Sequence, residues 1–217
     1  MNADLFPLPL SPFEYYYLCD DRPEYPTTFP VELVFSPPLS SAQFQRALEV
    51  VILRHPLLGS LVAEDGRLGP CWIGGAQLTR VDWAGQEIPI SHADGERIDL
   101  RRAPGLRVWA RDGPDSTRLL FQIHHACCDG IGAIRFVEDL LIAYARECGG
   151  PAADLPLAPL EPALLRNRAD LDLPSRSLLA VMRDLWVGAG IWSKFAFQSP
   201  AVLTASRKGT VPSAAAD

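Results

Sequence analysis

The sequence predicts an α/β fold, an α+β two-layer sandwich in which helices pack on one face of a mostly antiparallel or mixed sheet. Three observations carry this. Ser41 to Arg54 and Ile131 to Glu147 each place apolar residues at three- and four-residue steps, the period of a helix with one buried face. Between and around them lie short β-rich segments in which apolar and polar residues alternate. Turn residues such as Asp65-Gly66 punctuate those segments. With 217 residues and 48% apolar content, the chain is long enough for one domain with a sizeable core.

The elements follow in order. Residues 7 to 38 are dense in proline and aromatics. Within them Ser11-Pro12-Phe13-Glu14 starts a short helix, with Ser11 as cap and Pro12 at the first helical position. The Tyr15-Tyr16-Tyr17 cluster reads as packing rather than a binding site. Val31 to Phe35 alternates and is read as a strand. Phe44, Ala47, Leu48, Val51 and Ile52 form the apolar face of the helix over 41–54, capped by Ser40 or Ser41 and stopped near Pro56. His55, at its end, is read as a histidine facing the helix dipole.

Ser60 to Glu64 and Leu68 to Ile73 form a hairpin about Asp65-Gly66. Leu78 to Trp83 and Glu87 to Ile90 are further short strand candidates, and His92 falls in a loop. Leu106 to Ala110 and Arg118 to His124 read as adjacent antiparallel strands joined by the turn Asp112-Gly113-Pro114-Asp115. In the helix after them, Ile131, Ile134, Val137, Leu140, Leu141 and Tyr144 make a stripe that Gly149-Gly150-Pro151 ends.

The chemistry concentrates where that last strand meets that helix. His124-His125-Ala126-Cys127-Cys128-Asp129-Gly130 holds half of the chain's four histidines. Successive side chains on a strand point to opposite faces, so the two imidazoles cannot do the same job. One can face a cleft while the other is held in the body of the domain. Adjacent histidines are poorly spaced to share a metal ion, so none is expected. A single imidazole at a strand end suits proton transfer, because its pKa lies near neutrality. Asp129 can cap the helix or pair with an arginine, and Gly130 permits the turn. Cys127 and Cys128 read as small packed residues, since neighbouring cysteines seldom bond each other.

This seven-residue run resembles the HHxxxDG signature of the superfamily of condensation domains and CoA-dependent acyltransferases, whose fold is named after chloramphenicol acetyltransferase. The resemblance extends to Leu10-Ser11-Pro12-Phe13-Glu14, to Arg54-His55, and to the segment from Ile98 to Trp109. It implies a catalytic or substrate-positioning role for His125, with His124, Asp129, Gly130 and Arg54 structural at the site. Arg54 is the expected partner of Asp129. The family's second arginine is replaced here by Gly59. Family members have two similar halves with the site between them, and fewer than a hundred residues follow His125. The resemblance is therefore to an N-terminal half.

The resemblance implies transfer of an acyl group from a CoA or carrier-protein thioester to a hydroxyl or amine, with His125 as general base. The thioester (acyl-CoA or a phosphopantetheine carrier) is a co-substrate, and no permanently bound cofactor is expected. A C-terminal half, in the same chain or a second subunit, or self-association, would complete the site. Two alternatives stand beside it: a non-catalytic binding or assembly half of the same fold, and a fragment of a membrane-associated lipid acyltransferase. No Gly-x-Ser-x-Gly elbow, HExxH, Cys-x-x-Cys or phosphate loop is present, which favours direct transfer over a covalent acyl-enzyme.

Composition narrows the setting. A net charge of −6 with no basic block argues against nucleic acid. Five cysteines without framework spacing suit reduced thiols and a cytoplasmic location. No signal peptide and no membrane span are expected. The expected organisation is residues 1–150 as the half-fold, 151–174 as a Pro-rich linker, 175–197 as an apolar helix and 198–217 as a disordered tail. The apolar helix is read as packed on a protein surface, with a membrane surface as its alternative.

Overall fold

The computed structural model describes residues 5–74, 79–91, 97–149, 151–159 and 162–169, together with positions 182, 183, 186, 187 and 190. The chain divides into two units, Met1–Asp170 and Leu171–Asp217. The first unit carries the sandwich.

Its main sheet has four strands: β2 (Thr28–Phe35), β7 (Thr117–His124), β6 (Leu106–Asp112) and β5 (Val81–Gly85), side by side in that order. β2–β7 and β7–β6 are antiparallel, while β6–β5 is parallel, so the sheet is mixed. A second, small antiparallel sheet sets β4 (Gly69–Ile73) between β1 (Leu8–Pro9) and β3 (Leu61–Asp65). β3 and β4 are the expected hairpin.

Helices α2 (Ser41–Arg54) and α3 (Gly130–Cys148) cover one face of the main sheet. They run antiparallel. Gln43 and Arg46 near the start of α2 meet Glu147 near the end of α3, while Arg54 at the other end meets Asp139. The shared core takes Phe44, Leu48, Val51 and Ile52 from α2, Phe136 and Leu140 from α3, and Leu119, Phe121 and Ile123 from β7. All are at most 2% exposed. Each such side chain stabilises the fold by about 2 kcal/mol through burial. The Phe121 and Phe136 rings meet edge to face at 5.8 Å, pinning β7 to α3 on either side of the histidine turn.

Several boundaries differ from the sequence reading, each for a physical reason. β2 begins at Thr28 and includes Pro30. Proline is tolerated because β2 lies at the sheet edge and one of its sides needs no donor. Glu87 to Ile90 forms no strand; it turns back so that the carbonyls of Ile88 and Pro89 accept from the buried Arg111 guanidinium. Ser40 precedes α2 without a side-chain cap, its amide donating to the Tyr144 hydroxyl instead.

The described residues of the Pro-rich stretch after α3 are anchored on the first unit. A 3-10 turn (Pro151–Asp154) and helix α4 (Pro162–Arg166) lead to Arg168. Arg168 forks onto both carboxylate oxygens of Glu14 at 2.6 Å and donates to the Pro9 carbonyl. Glu14 lies in helix α1 (Pro12–Asp20), in a capping box with Ser11, and it also accepts from the Trp72 indole at 3.1 Å.

In the second unit the described positions 182, 183, 186, 187 and 190 are helical, and Met182, Trp186 and Val187 among them are exposed. Residues 198–217 and His92 lie outside the described residues. Among the described residues no helix is long and apolar enough to cross a membrane.

Candidate active site

β7 delivers the histidine pair to one end of the main sheet. The strand's alternation separates the two rings, as the period-2 argument requires. His124 is fully buried. Its Nδ1 accepts from the Ala126 amide at 3.1 Å, which puts the ring proton on Nε2. That nitrogen lies 3.2 Å from the Thr27 hydroxyl and 3.7 Å from Asp21. Asp21 is itself buried and is the hub of the arrangement. It accepts from the Thr27 amide at 3.0 Å and from Arg97 at 2.6 Å. Burial drives the His124 pKa down to about 4, outweighing the attraction of Asp21. His124 is therefore neutral at pH 7, a fixed strut between β7, the end of α1 and the residue that leads into β2.

His125 differs in each respect. Its backbone amide continues the ladder onto Thr27 at 2.9 Å, but its ring is only partly buried. The ring stacks on Tyr17 of α1, with centroids 5.1 Å apart and planes at 15°. It also meets Phe29 of β2 at 4.5 Å and 39°. Among the described residues neither ring nitrogen has a hydrogen-bond partner. The arrangement thus holds the imidazole by ring contacts and leaves both nitrogens unengaged among the described residues.

The turn between strand and helix is closely packed. The His124 amide donates to the Gly105 carbonyl and the Cys127 amide to the His124 carbonyl, both at 2.9 Å. A Cβ on Gly105 would lie 2.1 Å from the Cys127 sulfur, so glycine is required there for the turn to dock. Burial raises the thiol pKa of Cys127 well above the ordinary value, and burial together with Asp129 pushes Cys128 up to about 12. Neither is a thiolate near neutral pH, so neither is poised as a nucleophile. Among the described residues no group of three or more His, Cys, Asp or Glu side chains could hold a metal ion.

Asp129 and Arg54 do not form the expected pair. Asp129 is the N-cap of α3, its Oδ1 accepting from the Gly132 amide at 2.7 Å. Gly130 opens that helix. Arg54 pairs instead with Asp139 at 2.9 Å and donates to the Ala158 carbonyl at 2.6 Å. His55 shares the Asp139 carboxylate at 3.1 Å and sets its ring edge-on to Phe136. Its pKa is lowered, by burial first. His55 is thus a clip between α2 and α3 rather than a ring facing the helix dipole. With glycine at position 59 no second arginine is at hand, and the short aspartate side chain at a helix start takes the nearest donor, the backbone.

The sequence reading missed Tyr17, Phe29 and Asp21. The signal was present for two of them. Glu14, Tyr17, Leu18 and Asp21 share one face of α1 and its end, at steps of three and four, and that face looks onto the histidine turn.

No family model matches the chain. The chain is 31% identical over 199 residues to the probable non-canonical nonribosomal peptide synthetase CymA of Salinispora arenicola, a match covering 84% of this chain and 2% of that protein. Among solved structures, the X-domain from teicoplanin biosynthesis superposes with a TM-score of 0.62 at 23% identity, over 82% of this chain and 42% of that one. The starter condensation domain of rhizomide synthetase RzmA, solved as a point mutant in complex with C8-CoA, gives 0.57 at 18% identity, over 68% and 37%. The chain spans about two fifths of the length of these solved domains.

Proposed function

We propose that this chain, whose fold is that of the X-domain from teicoplanin biosynthesis and the starter condensation domain of rhizomide synthetase, forms the first half of an acyl-transfer site with His125 as general base. The observation that carries the reading is the contrast between the two histidines. One imidazole is sealed, neutral and fully hydrogen-bonded. The next is at the surface, clamped by aromatic rings, with both nitrogens unengaged among the described residues. A proton acceptor needs that availability.

In this reading a CoA or carrier-protein thioester is the donor and an amine or hydroxyl the acceptor. His125 takes the acceptor's proton as its nitrogen or oxygen attacks the thioester carbonyl. The tetrahedral adduct collapses, the carbon–sulfur bond breaks, and the thiolate leaves. The imidazolium returns the proton to the sulfur, so the base is regenerated. Asp129 acts by fixing the start of α3 and hence the turn. The donor chemistry draws support from the condensation domain solved with C8-CoA. A second half of the fold would wall the other side of the groove.

The test is a thiol-release assay with octanoyl-CoA and a panel of amines and alcohols, run on the longest natural chain that contains this half. Release that requires both thioester and acceptor supports the proposal. Thioester binding without acceptor-dependent release overturns it in favour of a non-catalytic binding half.

A further inference from the structure

We infer that Tyr17 is a positioning residue for His125, presenting the imidazole to substrate by its edge and preventing it from turning away. The inference rests on the reading of His125 as proton acceptor. It begins from the kind of contact. The core aromatics Phe44, Phe121 and Phe136 are at most 1% exposed. Tyr17, Phe29 and His125 are all only partly buried. Tyr17 and Phe29 pack against the core without being sealed by it, and the imidazole of His125 lies against both.

The geometry then restricts the ring. Tyr17 lies nearly parallel to the imidazole, covering a face. Phe29 leans on the same ring, with centroids 4.5 Å apart and planes at 39°. With one face stacked on Tyr17 and Phe29 tilted against it, the imidazole keeps its nitrogen-bearing edge for approach. An unrestrained histidine at a strand end would sample several rotamers, each a misplacement of ångströms, and such misplacement costs about 100-fold in rate.

The clamp is itself held at both ends. Ahead of Tyr17, Glu14 is fixed by Arg168 and Trp72. Behind it, Asp21 fixes Thr27, and the Thr27 carbonyl receives the His125 amide. Tyr17 therefore reaches the imidazole from a helix that cannot easily rotate. A loop residue could not offer that rigidity.

The experiment follows the imidazole C–H resonances of the 217-residue chain labelled at histidine, in wild type, Tyr17→Phe, Tyr17→Leu and Phe29→Leu, with His125 assigned by His125→Gln. The leucine variants keep apolar bulk and remove the ring, and backbone spectra verify their fold. The inference predicts that His125 is shifted upfield by ring currents in wild type and in Tyr17→Phe. In Tyr17→Leu most of that shift is lost and the side chain gains motion. In the acyl-transfer assay Tyr17→Leu lowers kcat about tenfold or more with KM little changed, and Tyr17→Phe restores it.

Unchanged His125 resonances in Tyr17→Leu overturn the inference, as does a Tyr17→Phe variant as impaired as Tyr17→Leu. Should His125→Gln abolish transfer while Tyr17→Leu keeps its full kcat, the positioning role falls and the general-base reading stands. Should His125→Gln retain transfer, that reading falls, and the role of Tyr17 with it.

Discussion

Lowering the pH from about 7.5 to about 5 protonates a free imidazole but not the one at position 124. In the folded chain that ring has a pKa of about 4, because burial disfavours its charged form. In the unfolded chain it returns to about 6.5. Above that value both states are neutral and the stabilisation is complete. As pH falls through the window between the two values, the unfolded chain takes up a proton that the folded chain refuses, and stability drops. A separation of roughly 2.5 units corresponds to about 3 kcal/mol in full, of which about 2 kcal/mol is lost by about pH 5. For a domain of this size that is a fall in Tm of about 4–8 °C.

His55, also lowered by burial, adds to the slope in the same direction. The carboxylates of Glu32 and Asp65 do not. Their pKa values are lowered, by the Arg118 hydrogen bond and by the Arg67 and Leu68 amides, so what they contribute is lost only at lower pH. Urea unfolding of wild type and His124→Asn at both pH values isolates the one ring. Wild type should lose about 2 kcal/mol more than the variant on acidification. Equal losses, or a His124 resonance that titrates near 6.5, would refute the neutral strut.

Three further perturbations probe how the site is held. Gly105→Ala places a methyl group against Cys127 and should cost about 1–3 kcal/mol in urea unfolding; adding Cys127→Ala should recover about 1 kcal/mol of that, and strict additivity would contradict the packing described. Asp129→Ala removes the α3 cap and should cost about 1 kcal/mol, with Asp129→Asn close to wild type because an amide oxygen still accepts from Gly132. Arg168→Met strands the largely buried Glu14 carboxylate and should cost about 3 kcal/mol, and Glu14→Gln in the same chain should return part of it, both read as Tm.

What was legible in the sequence was what local periodicity controls. The bounds of α2, the β3–β4 hairpin and the strand–turn–helix about His125 follow from apolar spacing and turn residues, and the structure has them. The opposite fates of the two imidazoles followed from strand alternation alone. Less legible was everything decided by partners far apart in the chain. Arg54 reaches Asp139 because α2 and α3 are antiparallel neighbours, which no local pattern encodes. The anchoring of Arg168 on Glu14 spans 154 residues of chain. The Tyr15-Tyr16-Tyr17 run looked uniform, yet only Tyr17 faces the histidine; the other two are exposed.

The central claim, that an edge-on imidazole at position 125 moves the acceptor's proton, is tested most directly by comparing wild type with His125→Ala in acceptor-dependent thiol release from octanoyl-CoA. The account predicts a fall in kcat of about 100-fold or more, with the fold intact by backbone spectra. A His125→Ala chain that transfers the acyl group at the wild-type rate would contradict it.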